Sequence, residues 1–385
     1  MKKTIAIVTG TRAEYGLLKP LIKALHEDEN INIQLLVTGM HLSKKYGYTI
    51  NEIEADGFQI TAKIDSHLKG DSAVDISNSV AETTRGFAKI LGELNPDLMV
   101  VLGDRSEIFA AATAVTIKGI PIAHIHGGET TEGAYDEAFR HAITKMSHWH
   151  FTSTETYRKR VIQLGEQPEH VFNVGAIGID SIANLKLMTK DEFETSIDFK
   201  LNKKNVLITF HSVTLENNTS ETQFNEILSA LDKVEDVTLI FTKPNSDKDG
   251  TIISNQIDNY VANHRQKAIA FTSLGQKRYL SSLQYMDVVI GNSSSGIIEV
   301  PIFKIPTINI GDRQKGRLMP KSIINCLPLE TKITKALNQA FSAKFLESIS
   351  NLKSDYGNGT TTKQIMDILA SEAFPKIKKS FFDLN

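Results

Sequence analysis

The chain has 385 residues, of which 41% are hydrophobic and 23% charged, and its formal net charge is -2. This length exceeds what one ordinary hydrophobic core holds, so we predict two domains of roughly 150 to 200 residues each. The charge is close to neutral and the sequence contains no long basic run, which argues against a nucleic-acid-binding protein.

The cysteine content and the apolar runs bear on where the protein works. The single cysteine, Cys326, excludes an internal disulfide and a zinc site built from several cysteines. Near the N-terminus only IAIV is apolar, far shorter than the signal-peptide core of about 7 to 15 residues. Elsewhere no run approaches the roughly 18 apolar residues of a membrane span. We therefore expect a cytoplasmic protein with no membrane partner.

Short β-branched runs alternate with amphipathic segments in the first part of the chain. The runs at 4–10, 33–39, 97–104 and 121–128 are predicted strands, buried on both faces. Between the second and third runs, AVDISNSVAETTRGFAKILGELNP has apolar residues at helical spacing, and Asn95-Pro96 should end the helix. Strands that alternate with helices in this way predict a parallel sheet.

The same pattern restarts after HVFNVGAIGIDSI (170–182), with predicted strands at 204–211, 236–245, 287–296 and 305–313. We therefore predict two α/β domains, at residues 1–174 and 175–365, and a C-terminal segment at 366–385. A helix is predicted in TTTKQIMDILASEAF, close to the start of that last segment.

Polar side chains gather where the predicted strands end. Open parallel sheets bind ligands at the carboxyl ends of their strands, so two such sheets facing each other would form a binding cleft. The polar positions are Arg12, Glu14, His41, Asp104, Arg105, the segment 126–136, His211, Asn245, Ser293 to Ser295 and Arg313.

Two loops at strand ends are candidate phosphate sites. GTRAEYG (10–16) opens a helix whose exposed amides favour an anion, although a plain strand–helix turn explains it equally well. GNSSSG (291–296) offers three hydroxyl groups, and helix capping by one serine is the alternative. The first loop lacks the dinucleotide-binding spacing and the second lacks the Walker lysine, so neither NAD binding nor an ATPase is predicted.

Titratable side chains are concentrated in LGDRSE (102–107) and in IAHIHGGETTEGAYDEAFRHAITK (122–145). Asp104 and Arg105 could form a structural ion pair. Strand alternation would place His124 and His126 on one side, and the spacing of these histidines and Glu129 also permits a metal site.

For Arg140 and Arg313, ordinary structural roles are the alternatives to a role in a binding site. Asp136 and Arg140 are four residues apart, which favours an intrahelical pair. In GDRQKGR (311–317), Arg313 is a candidate phosphate clamp, although surface arginines usually serve only solvation.

Eight segments of the chain carry a resemblance to a known family. In chain order they are TGTRAEYG, VTGMHLSKKYGYTI, LGDRSEIF, HIHGGE, YDEAFRHAITKMS, TSTETYRKRVIQLGE, GNSSSGIIEVP and INIGDRQKGR. Taken together, they resemble the UDP-N-acetylglucosamine 2-epimerase family, and most closely its hydrolysing, sialic-acid-pathway branch. The resemblance covers most of the chain and implies an α/β glycosyltransferase-B fold, with two Rossmann-like domains facing a cleft. It also implies a C-terminal helix packed on the first domain, and a homodimer or homotetramer.

The resemblance also implies the roles of individual residues. Asp104 and Asp136 match catalytic carboxylates, whereas His126 stands where many relatives have glutamate, which makes Glu129 the alternative acid–base group. Ser212 departs as well, at a position that is often proline. The second domain would hold most of the UDP, with Ser293 and Ser294 on the diphosphate and Glu299 on the ribose. The other expected substrate-binding residues are Arg12, Arg105, His211, Asn245 and Arg313.

The expected reaction is elimination of UDP to a 2-acetamidoglycal, followed by hydration to N-acetylmannosamine. Such chemistry needs acid–base groups on both sides of the sugar, and it calls for no metal or redox cofactor. The alternatives are a hydrolysing epimerase of UDP-2,4-diacetamido-2,4,6-trideoxyglucose, a non-hydrolysing epimerase, a glycosyltransferase and a non-catalytic sensor. The clustered carboxylates argue against the last two, because binding of UDP requires cations and hydrogen-bond donors rather than acids.

Overall fold

A computed structural model describes residues 2–70, 72–132, 134–213, 219–244, 250–371 and 373–384. These residues form two compact units. Unit 1 contains Met1–Glu129, Asp136–Asn184 and Tyr356–Asn385, and unit 2 contains Thr130–Tyr135 and Leu185–Asp355.

Unit 1 is built on a seven-stranded parallel sheet within the described residues, in the order β3-β2-β1-β4-β5-β6-β7. Its strands are β1 (Lys3–Thr9), β2 (Ile31–Thr38), β3 (Ile60–Ile64), β4 (Leu98–Leu102), β5 (Ile122–Ile125), β6 (Trp149–Thr152) and β7 (Val171–Asn173). Its helices are α1 (Arg12–Glu27), α2 (Ile50–Ala55), α3 (Ala73–Glu93), α4 (Ser106–Lys118), α5 (Asp136–Met146), α6 (Glu155–Gln163), α7 (Ile177–Asn184) and α15 (Thr361–Ser371). Short 3-10 helices span Gly39–Leu42, Lys44–Tyr46 and Pro168–His170.

Unit 2 repeats this design with a six-stranded parallel sheet among its described residues, in the order β10-β9-β8-β11-β12-β13. The strands are β8 (Lys204–Thr209), β9 (Val237–Thr242), β10 (Ala268–Phe271), β11 (Val288–Gly291), β12 (Thr307–Ile310) and β13 (Ile323–Cys326). The helices are α8 (Lys190–Ile197), α9 (Ser220–Leu231), α10 (Gly250–Asn263), α11 (Gly275–Leu283), α12 (Ser295–Ile298), α13 (Glu330–Ala340) and α14 (Ala343–Ile349), with a 3-10 turn at Val300–Phe303.

The strand β1 shows why the sheet of unit 1 needs helices on both faces. Ile5 and Ile7 point into a core that also contains residues of α1 and α15, whereas Ala6 and Val8 pack with residues of α3 and α4. All four side chains are fully buried, which confirms the prediction that this apolar run is covered on both sides. The helix predicted to stop at Asn95-Pro96 ends at Glu93, and Leu94 is its C-cap.

The boundaries of the two units differ from the predicted ones at 174/175 and 365/366. The chain leaves unit 1 after Asn184 and returns to it at Tyr356. The reason is that Ile177 of α7 and Ile365 of α15 are both part of the unit 1 core, so these helices belong with its sheet. Thr130–Tyr135 groups with unit 2, where Arg317 donates to the carbonyl oxygen of Thr130 at 2.8 Å.

Among the described residues, no helix is both long enough and apolar enough to cross a membrane.

Candidate active site

The carboxyl end of β4 carries Asp104, one of the two predicted catalytic carboxylates. Arg140 of α5 forms an ion pair with Asp104, and its second terminal nitrogen donates to the carbonyl oxygen of His126 at 2.8 Å. The Arg140 side chain is only 4% exposed, whereas that of Asp104 is 17% exposed. A buried guanidinium therefore fixes Asp104 while part of the carboxylate still faces solvent. The spacing of Arg140 and Asp136 along α5 did not indicate this contact.

His126 lies just beyond the end of β5, in an unusual backbone conformation. The strand ends at Ile125 and His126 has φ +66°, so the expected strand alternation of His124 and His126 does not extend to this residue. Its Nε2 accepts the N–H of Ile177 at 3.2 Å, and its Nδ1 lies 3.4 Å from Oε1 of Glu129. Because Nε2 is an acceptor, the ring proton is on Nδ1 and points towards Glu129.

The environment of Glu129 and His126 is closed to solvent. Glu129 is 1% exposed and His126 is 7% exposed. Ser153 donates its hydroxyl hydrogen to Oε1 of Glu129 at 2.8 Å. The pair therefore forms a buried hydrogen-bonded unit that also binds the first amide of α7.

His124 is a structural residue of the sheet. Its Nε2 donates to the carbonyl oxygen of Gly103 at 2.7 Å, and Nδ1 lies 3.2 Å from the hydroxyl of Thr144. Burial lowers the pKa of His124 to about 3, so the ring is neutral. Both ring nitrogens thus have protein partners. Over the described ranges, no group of three or more histidine, cysteine or acidic side chains is placed to hold a metal ion.

Asp136 and the two predicted arginines of unit 1 are half-buried. Asp136 is the first residue of α5. Arg12 binds Glu52 through Nε and Nη2, at 2.9 and 2.7 Å. Arg105 donates from Nε to Oε1 of Glu107 at 2.8 Å. Asp104 thus forms an ion pair with Arg140, and Arg105 forms one with Glu107.

Two buried carboxyl groups lie close to Arg105, Glu107 at 6% exposure and Glu14 at 6%. Oε2 of Glu14 accepts the N–H of Gly10 at 2.6 Å. Burial, reinforced by the negative charge of Glu107, raises the pKa of Glu14 to about 8, so Glu14 is mainly protonated at neutral pH. The nearby His41 is neutral as well, because burial lowers its pKa to about 4.

In unit 2, Asn292 connects three of the predicted loops. Its side chain forms two hydrogen bonds of 2.7 Å with the backbone of His211, which follows β8. Its carbonyl oxygen accepts from Arg313 at 3.1 Å and from Gln314 at 2.7 Å. Asn292 is 1% exposed, so this network is shielded from water. It holds His211 and Arg313 beside the serine loop.

The serine loop itself is only partly used for capping. Ser293 Oγ accepts the N–H of Ser295 at 3.4 Å, and Ser294 makes no capping hydrogen bond at the start of α12. The Ser295 hydroxyl lies 2.5 Å from the hydroxyl of Tyr279. The helix that was expected to begin here is a single turn, because the chain passes into a 3-10 turn that contains Pro301. Its dipole is therefore small.

The predicted site residues are thus found at strand ends in both units. Those of unit 1 follow β1, β4 and β5, and those of unit 2 follow β8, β11 and β12, with Glu299 half-buried at the end of α12. Asn245 lies outside the described residues. The sequence interpretation missed Arg140, Glu107 and Asn292 as site residues. All three stand within or next to the quoted motifs, but nothing in their spacing identified their partners.

Comparison with known proteins identifies the family of this chain. The family model for UDP-N-acetylglucosamine 2-epimerase matches residues 23–370. The chain is 42% identical over 324 residues to the GDP/UDP-N,N'-diacetylbacillosamine 2-epimerase (hydrolyzing) of Campylobacter jejuni, covering 84% of each chain. It is 38% identical over 385 residues to the polysialic acid biosynthesis protein P7 of Escherichia coli, covering 99% of this chain and 98% of that protein.

The fold is shared with solved structures at lower sequence identity. The UDP-GlcNAc 2-epimerase of Neisseria meningitidis, solved with UDP-GlcNAc bound, has a TM-score of 0.82 at 18% identity over 96% of this chain and 100% of that one. This likeness and the two parallel sheets confirm the predicted α/β class, with two Rossmann-like domains of the glycosyltransferase-B type. The family match and the two relatives together show that the chain belongs to the UDP-N-acetylglucosamine 2-epimerase family.

Proposed function

We propose that this protein is a hydrolysing 2-epimerase, which converts a UDP-linked 2-acetamido sugar into UDP and the free 2-epimeric sugar. The observation that carries the proposal is the fixed carboxylate of Asp104, held by a buried arginine yet open to solvent. The Campylobacter relative, itself named a hydrolysing 2-epimerase, supports the same reaction type.

In the proposed reaction, one carboxylate removes the proton from carbon 2 while the bond from carbon 1 to the UDP oxygen breaks. The electron pair of the C–H bond forms the double bond of a 2-acetamidoglycal, and UDP leaves with the electron pair of the bond between carbon 1 and its oxygen. Water then adds to carbon 1 and loses one of its protons to the solvent, while a second acid returns a proton to carbon 2 from the opposite face. Asp104 and Asp136 fill these two roles, because both retain contact with solvent.

His126 and Glu129 have a supporting role in this proposal. Both are almost fully buried, and the His126 ring already binds Ile177 and Glu129. The pair therefore holds the loop between β5 and α5, which leads to Asp136, rather than exchanging protons with the sugar.

In unit 2, Ser293, Ser294 and Arg313 would hold the diphosphate, and their loops are already held together by Asn292. In the same unit, His211, Asn245 and Glu299 would contact the rest of UDP. In unit 1, Arg12 and Arg105 would neutralise the charge that develops as the diphosphate leaves, the kind of stabilisation that often dominates such steps.

Two sugars are candidates for the substrate. UDP-N-acetylglucosamine, giving N-acetylmannosamine, is the one expected from the sequence, and the polysialic acid relative favours it. The other is UDP-2,4-diacetamido-2,4,6-trideoxyglucose, also called UDP-N,N'-diacetylbacillosamine, which differs from the first sugar at carbons 4 and 6. The name of the Campylobacter relative favours this second sugar. We further propose that the enzyme acts in the cytoplasm as a homodimer or homotetramer, which light scattering after size exclusion tests.

The decisive experiment is product analysis in heavy water with both sugars. We expect UDP together with a free hexosamine that carries deuterium at carbon 2. An enzyme that released neither UDP nor a free sugar from either substrate would refute the proposal. Conversion to the UDP-linked epimer without release of UDP would identify a non-hydrolysing enzyme instead. Asp104→Asn serves as the inactive control.

A further inference from the structure

Glu107 lies across the ends of three neighbouring strands of unit 1, although it belongs to the first turn of α4. A Cβ atom on Gly10, at the end of β1, would stand 2.5 Å from Cγ of Glu107. On Gly39, after β2, it would stand 3.3 Å from the same atom and 2.8 Å from the Gly10 carbonyl oxygen. The side chain of Glu107 therefore fills the space beside Gly10, whereas at Gly39 the Gly10 carbonyl oxygen and the left-handed backbone are the stronger requirements for glycine.

This packing leaves the Glu107 carboxylate with little freedom. Its Oε2 accepts the Ser106 hydroxyl at 3.2 Å, and its Oε1 accepts Nε of Arg105 at 2.8 Å. The side chain of Glu107 is 7% exposed, whereas that of Arg105 is 23% exposed. A hydrogen bond at Nε fixes the plane of the planar guanidinium group. A rigid, buried anchor of this kind holds a partly exposed group in one orientation.

We infer that Glu107 is a positioning residue that acts through Arg105, fixing its guanidinium group for the substrate diphosphate. The inference rests on the proposed function, in which Arg105 stabilises the departing UDP. It assigns Glu107 no contact with the substrate. Its effect on the reaction must therefore disappear when Arg105 is removed.

The neighbouring carboxyl group of Glu14 offers a matched control. Glu14 is as buried as Glu107, and the negative charge of Glu107 acts on it and raises its pKa. Unlike Glu107, however, Glu14 accepts its hydrogen bond from the Gly10 N–H. Because Glu14 is mainly protonated at neutral pH, glutamine reproduces its neutral form. A purely structural requirement for buried polar groups at this place would affect both positions alike.

The test is a double-mutant cycle at pH 7, with kcat and KM measured on the sugar that the wild type hydrolyses. We expect Glu107→Gln to lower kcat/KM by about 10- to 100-fold, and Arg105→Gln to lower it at least as much. The double variant should be within about 3-fold of Arg105→Gln alone, since coupled positions are not additive. Glu14→Gln should remain within about 3-fold of wild type.

The inference is overturned if the losses in kcat/KM of the two single variants multiply in the double variant. It is also overturned if Glu14→Gln loses as much kcat/KM as Glu107→Gln. These outcomes presuppose an active wild type, so they are distinct from failure of the proposed function, in which the wild type itself releases no UDP. If Glu107→Gln does not fold, Glu107→Asp enters the same cycle. Aspartate keeps the charge but shortens the reach to Arg105. The inference then requires that the loss in kcat/KM caused by Glu107→Asp disappear when Arg105 is replaced by glutamine.

Discussion

Replacing Glu14 by glutamine should remove a pH dependence from the stability of unit 1. In the folded protein, burial and the charge of Glu107 raise the pKa of Glu14 from its ordinary value of 4.5 to about 8. The folded state therefore binds this proton more tightly than the unfolded chain does. Glutamine cannot ionise, so the variant has no such difference between the two states.

The sign and size of the effect follow from the two pKa values. Below pH 4.5 the carboxyl group is protonated in both states and has no effect on the pH dependence. Between pH 4.5 and about 8 the unfolded chain releases the proton first, so the free energy of unfolding falls as pH rises. The full difference corresponds to about 5 kcal/mol, which is an upper limit for the loss in the wild type. The free energy of unfolding of the Glu14→Gln variant should therefore increase relative to that of the wild type as pH rises over this interval.

The single tryptophan provides the assay. Trp149 lies in β6 of unit 1 and is 3% exposed, so its fluorescence reports the unfolding of that unit. Urea unfolding should be measured between pH 5 and pH 8 for wild type and variant. Glu27→Gln, at the exposed end of the same helix, is the control and should follow the wild type. Parallel pH profiles for wild type and Glu14→Gln would refute the reasoning.

Three further changes have expected outcomes. Asp104→Asn should lower kcat by about 100-fold or more while the calorimetric Kd for UDP changes less than about 3-fold; retained turnover would exclude it as an acid–base group. Tyr356→Phe removes a 3.1 Å hydrogen bond to Tyr157 between two buried rings, and should lower the stability of unit 1 by about 1 kcal/mol in the tryptophan assay. Burial opposes the charge of Glu166, but hydrogen bonds from a buried histidine and two lysines, Lys379 among them, hold its pKa at about 2. Lys379→Met should therefore cost about 1 to 3 kcal/mol at pH 7, a loss that shrinks as pH falls from 4.5 towards 2; a constant loss would contradict this assignment.

The strands with continuous apolar runs were the predictable part of the fold. Four strands of unit 1 and four of unit 2 were located within a few residues of their observed ends. Strands β3, β6, β7, β10 and β13 were not predicted. Of these, β6 is a buried run of only four residues, WHFT, whereas the other four lie at sheet edges and their side chains are partly exposed. Such strands lack the continuous apolar run that marks a strand buried on both faces.

The candidate site was predictable in its members more than in their contacts. Polar residues at strand ends were located from the sequence because parallel strands place their carboxyl ends at one edge of a sheet. The partner of Arg140 was not predictable, since the sequence offered Asp136 at helical spacing whereas the structure brings Asp104 to it. His126 was likewise misplaced, because its left-handed backbone ends the strand alternation.

The sequence by itself determined the two α/β sheets, the order of the loops at their strand ends and the family to which those loops belong. These properties depend on local periodicity and on residue identity, which are written along the chain. Only the tertiary structure decided which charges meet and which groups are ionised. Glu14 is mainly protonated because folding buries it and brings the charge of Glu107 close, and neither condition exists in the extended chain.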